Sequence, residues 1–296
     1  MSIRDFVLYI LYNIPSAEKY VTLHRIAAFS DGDAGGNPAG VALFETLPTT
    51  SEMQRIAAEV GYSETAFAAP AGGAWRVRYF APESEVPFCG HATIALGAAL
   101  AMTRGNQVFE LQLNDALISV EGRHHSGKLR AALQSPPTRS AAAAPSQIAD
   151  ALRLFGLNVA DLDEAIAPGL VHAGANHLVL ALKSRSRLAA MSYDLRQGQK
   201  LMRAAGLVTI ALVHVRDARH FNVRNAFASG GILEDPATGA AAAAFAGYLR
   251  DLDWPHGGAI EIVQGEDMGM RSIIGAEIPR VRGSSIRVSG EARIIG

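Results

Sequence analysis

Residues 78–102, RYFAPESEVPFCGHATIALGAALAM, and residues 224–249, RNAFASGGILEDPATGAAAAAFAGYL, run through the same succession of features. An arginine-led apolar strand gives way to a loop rich in glycine, proline and acid, after which Gly90 or Gly239 opens an almost uncharged alanine-rich stretch. A helix that is apolar on every side has no face to offer water and is expected to be buried. Upstream of each copy a helical pattern ends in glycine, Gly61 in the first half and Gly206 in the second, and the two glycine pairs span nearly the same length of chain. Three features in the same order indicate an internal duplication, and so two similar domains facing each other.

Working outward, the first half opens with a strand at Val21–Phe29, a glycine-rich turn over Gly35–Gly40 and a strand at Val41–Phe44. Ser51 and Gln54 have capping-box spacing ahead of the stripe Met53, Ile56, Ala57 and Val60, so the spacing predicts a helix ending at Gly61. Strands follow at Glu64–Ala69 and Trp75–Phe80. Residues 136–145, with adjacent prolines and an alanine run, read as the joint between halves. Beyond it, helices are expected over Ser146–Gly156, Leu195–Gly206 and Thr238–Leu249, and strands at Leu178–Leu182, Val208–Val215 and Phe221–Phe227. The domain boundaries are therefore placed at 21–135, joined by a C-terminal strand over 284–296, and at 136–283, with residues 1–20 as an N-terminal extension.

The chain has 296 residues, 49% of them apolar, and can bury a substantial core. Lysine plus arginine number 27 against 28 acids, and the net charge of −1 advertises no polyanionic partner, so nucleic-acid binding is not expected. A single cysteine forms no internal disulfide, CxxC pair or thiolate-rich metal site, which fits a cytoplasmic location. The apolar run Phe6–Tyr12 falls far short of the roughly 20 residues a membrane helix requires, and no membrane partner or signal peptide is expected.

The two buried helices begin with unusual chemistry: Cys89-Gly90-His91 in one and Glu234-Asp235-Pro236-Ala237-Thr238-Gly239 in the other. Helix N-termini offer unpaired N–H groups and about half a positive charge, so two of them converging between domains would bind a carboxylate. No GxGxxG or GxxxxGK[ST] pattern is present, and no metal or cofactor is expected. The chemistry left is proton transfer by side chains, with His91, Asp235, Glu64 and Cys89 as candidates. Taken singly each has a plainer reading. Asp235 or Thr238 would cap a helix, Glu64 would be solvated, His91 would bond locally, and Cys89 would be a small buried hydrophobe.

Together these motifs resemble the PhzF-like phenazine-biosynthesis family of isomerases. The resemblance runs through Gly36-Asn37-Pro38-Ala39-Gly40-Val41, Ser63-Glu64-Thr65-Ala66-Phe67, Arg78-Tyr79-Phe80-Ala81-Pro82 with Glu85 and Pro87, Cys89-Gly90-His91-Ala92-Thr93, and Glu234 to Gly239. Gln264-Gly265, Met268-Gly269 and Gly283 to Gly290 extend it to the C-terminus. It implies an α+β, diaminopimelate-epimerase-like fold of two similar domains, each a curled, mostly antiparallel sheet around a central helix, with the active site between them. It also implies a cofactor-independent isomerase or epimerase acting on a small, carboxylated, amino-acid-like metabolite, and homodimer formation. Glu64 would shuttle the proton, while His91 and Asp235 hold and polarise the substrate. Asn37, Gly90, Thr238, Gly239 and Ala240 would bind it, with backbone N–H groups from the two glycines. The family often has serine where Ala240 stands, so a donor is missing here and a ligand-binding protein with reduced catalysis is the alternative. Cys89 paired with Asp235, which falls about where related epimerases carry a second thiol, would be a two-base variant.

Overall fold

In the computed structural model, residues 8–10 and 21–295 are described, so most of the extension expected over 1–20 lies outside the described residues. The chain forms two compact units. One comprises Met1–Asp33, Asn37–Leu133 and Ser289–Gly296, the other Ala34–Gly36 and Gln134–Val288.

The first unit begins with β1 (Leu8–Ile10), antiparallel to β2 (Val21–Ser30), which pairs in turn with β3 (Asn37–Leu43). Helix α1 (Thr50–Val60) returns the chain so that β4 (Thr65–Ala71) lies parallel to β3, and β5 (Ala74–Phe80) forms a hairpin with β4. The short β6 (Glu85–Val86) pairs with the end of β5, and α2 (Gly90–Arg104) carries the chain to β7 (Gln107–Gln112), parallel to β5. Antiparallel β8 (Leu117–His125) and β9 (Lys128–Gln134) follow, and β18 (Arg287–Ile294) pairs with both β9 and β2, closing the strands into a ring. Helix α2 packs against β2, β3, β4, β7 and β8, and every residue from His91 to Ala101 is buried, as a stretch without a polar face requires. It touches β8 backbone to backbone: a methyl group on Gly122 would sit 2.2 Å from the Gly97 carbonyl oxygen.

The second unit repeats this order. Strand β10 (Arg139–Ala142) pairs with β11 (Gly169–His172), reached through α3 (Pro145–Leu154), and β11 pairs antiparallel with β12 (Asn176–Ala181). Helices α4 (Arg185–Ala189) and α5 (Leu195–Ala204) bring β13 (Thr209–Val215) parallel to β12, and β14 (His220–Ala226) returns beside β13. The short β15 (Glu234–Asp235), the buried α6 (Gly239–Asp251), β16 (Ala259–Gln264) parallel to β14, and β17 (Ser272–Glu277) complete it. Each unit is thus a mostly antiparallel sheet with two parallel steps, β3 to β4 and β5 to β7 in the first and β12 to β13 and β14 to β16 in the second, and one nearly all-buried helix, which is the expected α+β class.

Three local expectations are corrected. The capping box is Thr49 with Glu52, because Glu52 Oε2 accepts from Thr49 N–H at 2.9 Å while Gln54 is drawn away to the carbonyls of Ala81 and Pro82, at 2.8 and 2.9 Å. The glycine-rich turn ends at Gly36. Asn37 to Gly40 already belong to β3, where a Cβ on Gly40 would lie 2.7 Å from Thr65 Oγ1 on β4, so glycine permits the close strand contact. Within the supposed joint, Arg139–Ala142 is a strand whose backbone groups are satisfied by β11.

Candidate active-site clusters

Glu64 lies between α1 and β4. Gly61, in the left-handed conformation, ends the helix, and the Glu64 carbonyl accepts from Gly40 N–H at 3.2 Å, which fixes the turn. Its side chain, 17% exposed, reaches the start of α2, where Glu64 Oε2 lies 3.5 Å from His91 Nε2. Ser63 Oγ is 3.4 Å from the same nitrogen, and Cys89 Sγ is 3.3 Å from His91 Nδ1. Cys89 and His91 are both buried. One proton assignment satisfies all of these groups: the thiol donates to Nδ1, and Nε2–H faces the Glu64 carboxylate.

Beneath this cluster the Thr93 hydroxyl donates to the Cys89 carbonyl at 2.7 Å, and therefore accepts from Tyr79 O–H, also at 2.7 Å. Burial pushes the Tyr79 phenol well above its ordinary range, so it stays a donor. The start of α2 is in this way pinned to β5. The side-chain ligand atoms of Glu64, Cys89 and His91 lie within 4.8 Å of one another. A cation held by all three would need one ring nitrogen to face both partners, whereas the carboxylate lies by Nε2 and the sulfur is nearer Nδ1.

In the second unit, Asp235 is on β15 opposite Asn225 of β14, and Thr238 ends the turn that leads into α6. The Thr238 hydroxyl makes no cap bond to the helix. It donates instead to Asp235 Oδ2, which overturns the plain reading of Thr238 as a side-chain cap. Gln264 Nε2 donates to the Asp235 carbonyl at 2.7 Å and to Thr238 Oγ1 at 3.1 Å. Asn225 is fully buried, and neither atom of its amide has a hydrogen-bond partner among the described residues.

The two units carry matching ion pairs ahead of their buried helices. Arg78 forks onto Glu85, with Nε to Oε1 at 2.8 Å and Nη2 to Oε2 at 2.5 Å, and Arg224 forks onto Glu234 in the same way. Counting from Glu85 and Glu234, Cys89 corresponds to Thr238, His91 to Ala240 and Val86 to Asp235. Within the repeat, the position equivalent to the thiol is therefore Thr238, and Asp235 stands three residues before it.

The structure brings Glu64, His91 and Cys89 together in one unit, and Asp235 and Thr238 in the other. Gly90 and Gly239 are the first residues of α2 and α6, Ala240 is the second residue of α6, and Asn37 begins β3, buried. Sequence reasoning missed Ser63, Asn225 and the role of Gln264. For Asn225 the repeat offered a signal, since it stands where the first half has Tyr79.

A family model described as "Phenazine biosynthesis-like protein" matches residues 26–295. Among curated relatives, the trans-2,3-dihydro-3-hydroxyanthranilate isomerase of Pseudomonas aeruginosa is 30% identical over 280 residues, covering 90% of this chain and 96% of its own. The uncharacterized isomerase YfhB of Bacillus subtilis is 28% identical over 283 residues, covering 90% and 94%. Among solved structures, the PhzF-family phenazine biosynthesis protein of Bacillus anthracis superposes with a TM-score of 0.82 at 21% identity, covering 95% of this chain and 98% of that one. A probable proline racemase from Agrobacterium radiobacter gives 0.63 at 11%, covering 93% and 91%. At these identities the two structures speak for the fold.

Proposed function

The chain belongs to the phenazine biosynthesis-like family and is an isomerase, and on that premise we propose that it moves a proton between carbons of a small carboxylated, amino-acid-like metabolite, without a cofactor, using Glu64 as the acid and base. The observation that carries this reading is the placement of Glu64. It is partly open, its Oε2 lies 3.5 Å from Nε2 of a buried imidazole, and the thiol lies 3.3 Å from the other ring nitrogen. A base must give up its proton as readily as it takes one, and a histidine that donates to the ionised form and lets go of the neutral form serves both halves of the cycle. Asp235 with Thr238, and the first amides of α6, would hold the polar groups of the substrate, while Asn37, Gly90, Gly239 and Ala240 would line its binding site. Ala240 offers no hydroxyl, so the substrate need not be that of any relative.

The first probe is trans-2,3-dihydro-3-hydroxyanthranilate, the compound in the name of the Pseudomonas relative. Incubated with the protein in deuterium oxide, it should acquire deuterium on carbon. Glu64→Gln should lower that exchange about 100-fold or more while the protein stays folded. Exchange that survives Glu64→Gln unchanged refutes the assignment. Because Asp235 is assigned to the same substrate, Asp235→Asn should impair the same turnover. The alternative of a small-ligand-binding protein with reduced catalysis is favoured by Ala240, which offers a ligand no hydroxyl where the family often has serine. Under that reading a metabolite raises the melting temperature and never exchanges a proton. The proposal also places the enzyme in the cytoplasm, supported by its lone cysteine, with homodimer formation to be read by sizing.

A further inference from the structure

Gln264 ends β16, 29 residues from Asp235 in sequence and 1% exposed, yet both hydrogens of its amide and its oxygen are spent on the Asp235–Thr238 turn. Nε2 donates to the Asp235 carbonyl at 2.7 Å and to Thr238 Oγ1 at 3.1 Å, and Oε1 lies 3.4 Å from Thr238 N–H. This orientation is forced. Turning the amide over would set Oε1 against the Asp235 carbonyl oxygen and Nε2 against the Thr238 N–H, like facing like in both contacts. A hydroxyl has one hydrogen. Since Thr238 Oγ1 receives a hydrogen from Gln264, its own goes to Asp235 Oδ2. Glycine follows at 265 with φ of 73°, and a Cβ there would lie 2.7 Å from the Pro236 carbonyl oxygen, so the end of β16 also bears directly on the backbone of the same turn.

We propose that Gln264 is a positioning residue for the reaction: it sets the direction of the hydrogen bonds Gln264 to Thr238 to Asp235, so that the Asp235 carboxylate meets the substrate oriented and as an acceptor. The inference rests on the substrate-holding role given to Asp235 above. A buried glutamine that merely filled space would need no particular direction in its bonds, and a methionine of similar length would replace it.

Two measurements test this. The first needs no substrate. An ionised carboxylate at position 264 has no hydrogen to give, so Gln264→Glu should lower the melting temperature. Adding Asp235→Asn lets the new amide donate to Thr238 Oγ1 and the Thr238 hydroxyl donate to the carboxylate introduced at position 264, reversing the chain of bonds. The double variant should therefore melt above Gln264→Glu alone. Strictly additive losses in the four-member cycle overturn the inferred direction.

The second measurement is deuterium exchange into trans-2,3-dihydro-3-hydroxyanthranilate. Gln264→Met, neutral and of similar length, should raise KM about tenfold, the scale of one hydrogen bond to a charged group, with kcat changed much less. An unchanged KM for Gln264→Met beside a raised KM for Asp235→Asn overturns the positioning role. An unchanged KM and kcat for Asp235→Asn overturns the functional reading instead, and the stability cycle then decides the direction of the bonds. If the unaltered protein does not exchange the probe, additive losses in the cycle still overturn the inferred direction of the bonds and non-additive ones support it.

Discussion

His177 on β12 is fully buried. Its Nδ1 lies 2.7 Å from Thr209 Oγ1, and Nε2 has no partner among the described residues. Burial, with His172 nearby, pushes it from the ordinary 6.5 down to about 3. Between those two values the unfolded chain binds a proton that the folded His177 refuses, so stability is complete above pH 6.5 and falls as the pH drops toward 3. At pH 5 the loss from this residue is about 2 kcal/mol relative to pH 7 and above. His24 on β2, lowered by burial, acts in the same sense. Urea unfolding of His177→Leu should start from a lower stability at pH 7.5 but lose less between pH 7.5 and 5, and an acid loss equal to the parent's would refute the assignment. Neither histidine stood out in the sequence, because nothing local marks a ring that packs across strands. Glu64, His91 and Asp235 were legible for the opposite reason. Each lies next to a glycine or proline turn that opens or follows a helix, where local rules say the backbone must change direction.

Helices α2 and α6 were readable at the scale of the element, since their stretches carry no polar face and admit one solution, burial. Of the strands around α2, those ahead of it in the chain were read and those after it were not. The sequence pattern marks none over 107–134, where β7, β8 and β9 lie, and the reason is visible in Val108, 57% exposed, and Leu117, 79% exposed. Apolar side chains on the outer face blur the alternation that distinguishes a half-buried strand. Gly97 and Gly122 express the fit of α2 to β8 most directly. A Cβ on Gly122 would meet the Gly97 carbonyl at 2.2 Å and Ala101 Cβ at 3.0 Å, whereas one on Gly97 would meet Val120 Cγ2 at 2.6 Å. The first obstacle is backbone, which moves only with the whole strand or helix, and the second the end of a valine side chain, which can shift by itself. Gly122→Ala should therefore cost about 3 kcal/mol and Gly97→Ala about 1, by urea unfolding. A smaller loss at Gly122 than at Gly97 would show that helix and strand are free to separate.

Duplication organises the whole molecule, and its halves differ in a way that a comparison of their ion pairs exposes. Arg78 and Glu85 are seven residues apart, Arg224 and Glu234 ten, because the second loop holds an extra turn at Ala228–Gly230. Past the loop the halves come back into step, since Glu85 faces Phe80 and Glu234 faces Ala226, and the four residues from each glutamate lead to Cys89 in one half and Thr238 in the other, as the pairing of Gly90 with Gly239 also has it. The two forks are not equally buried. The side chains of Arg78 and Glu85 are 19% and 25% exposed, those of Arg224 and Glu234 12% and 5%, and Arg224 also donates to the carbonyls of Ala189 and Met191. Removing an arginine strands its carboxylate, a loss of about 3 kcal/mol or more when the pair is buried and about 1 when water reaches it. Each unit contains one of the two tryptophans, Trp75 and Trp254, so single-tryptophan proteins report on each separately. With Trp254 as the reporter, Arg224→Met should shift the urea midpoint further than Arg78→Met does with Trp75. Adding Glu234→Met should restore much of the loss, since a well-packed apolar pair tolerates burial that a lone carboxylate does not. A larger shift from Arg78→Met, or no recovery in the double variant, would mean that the fork of the second unit holds its turn by packing and not by charge.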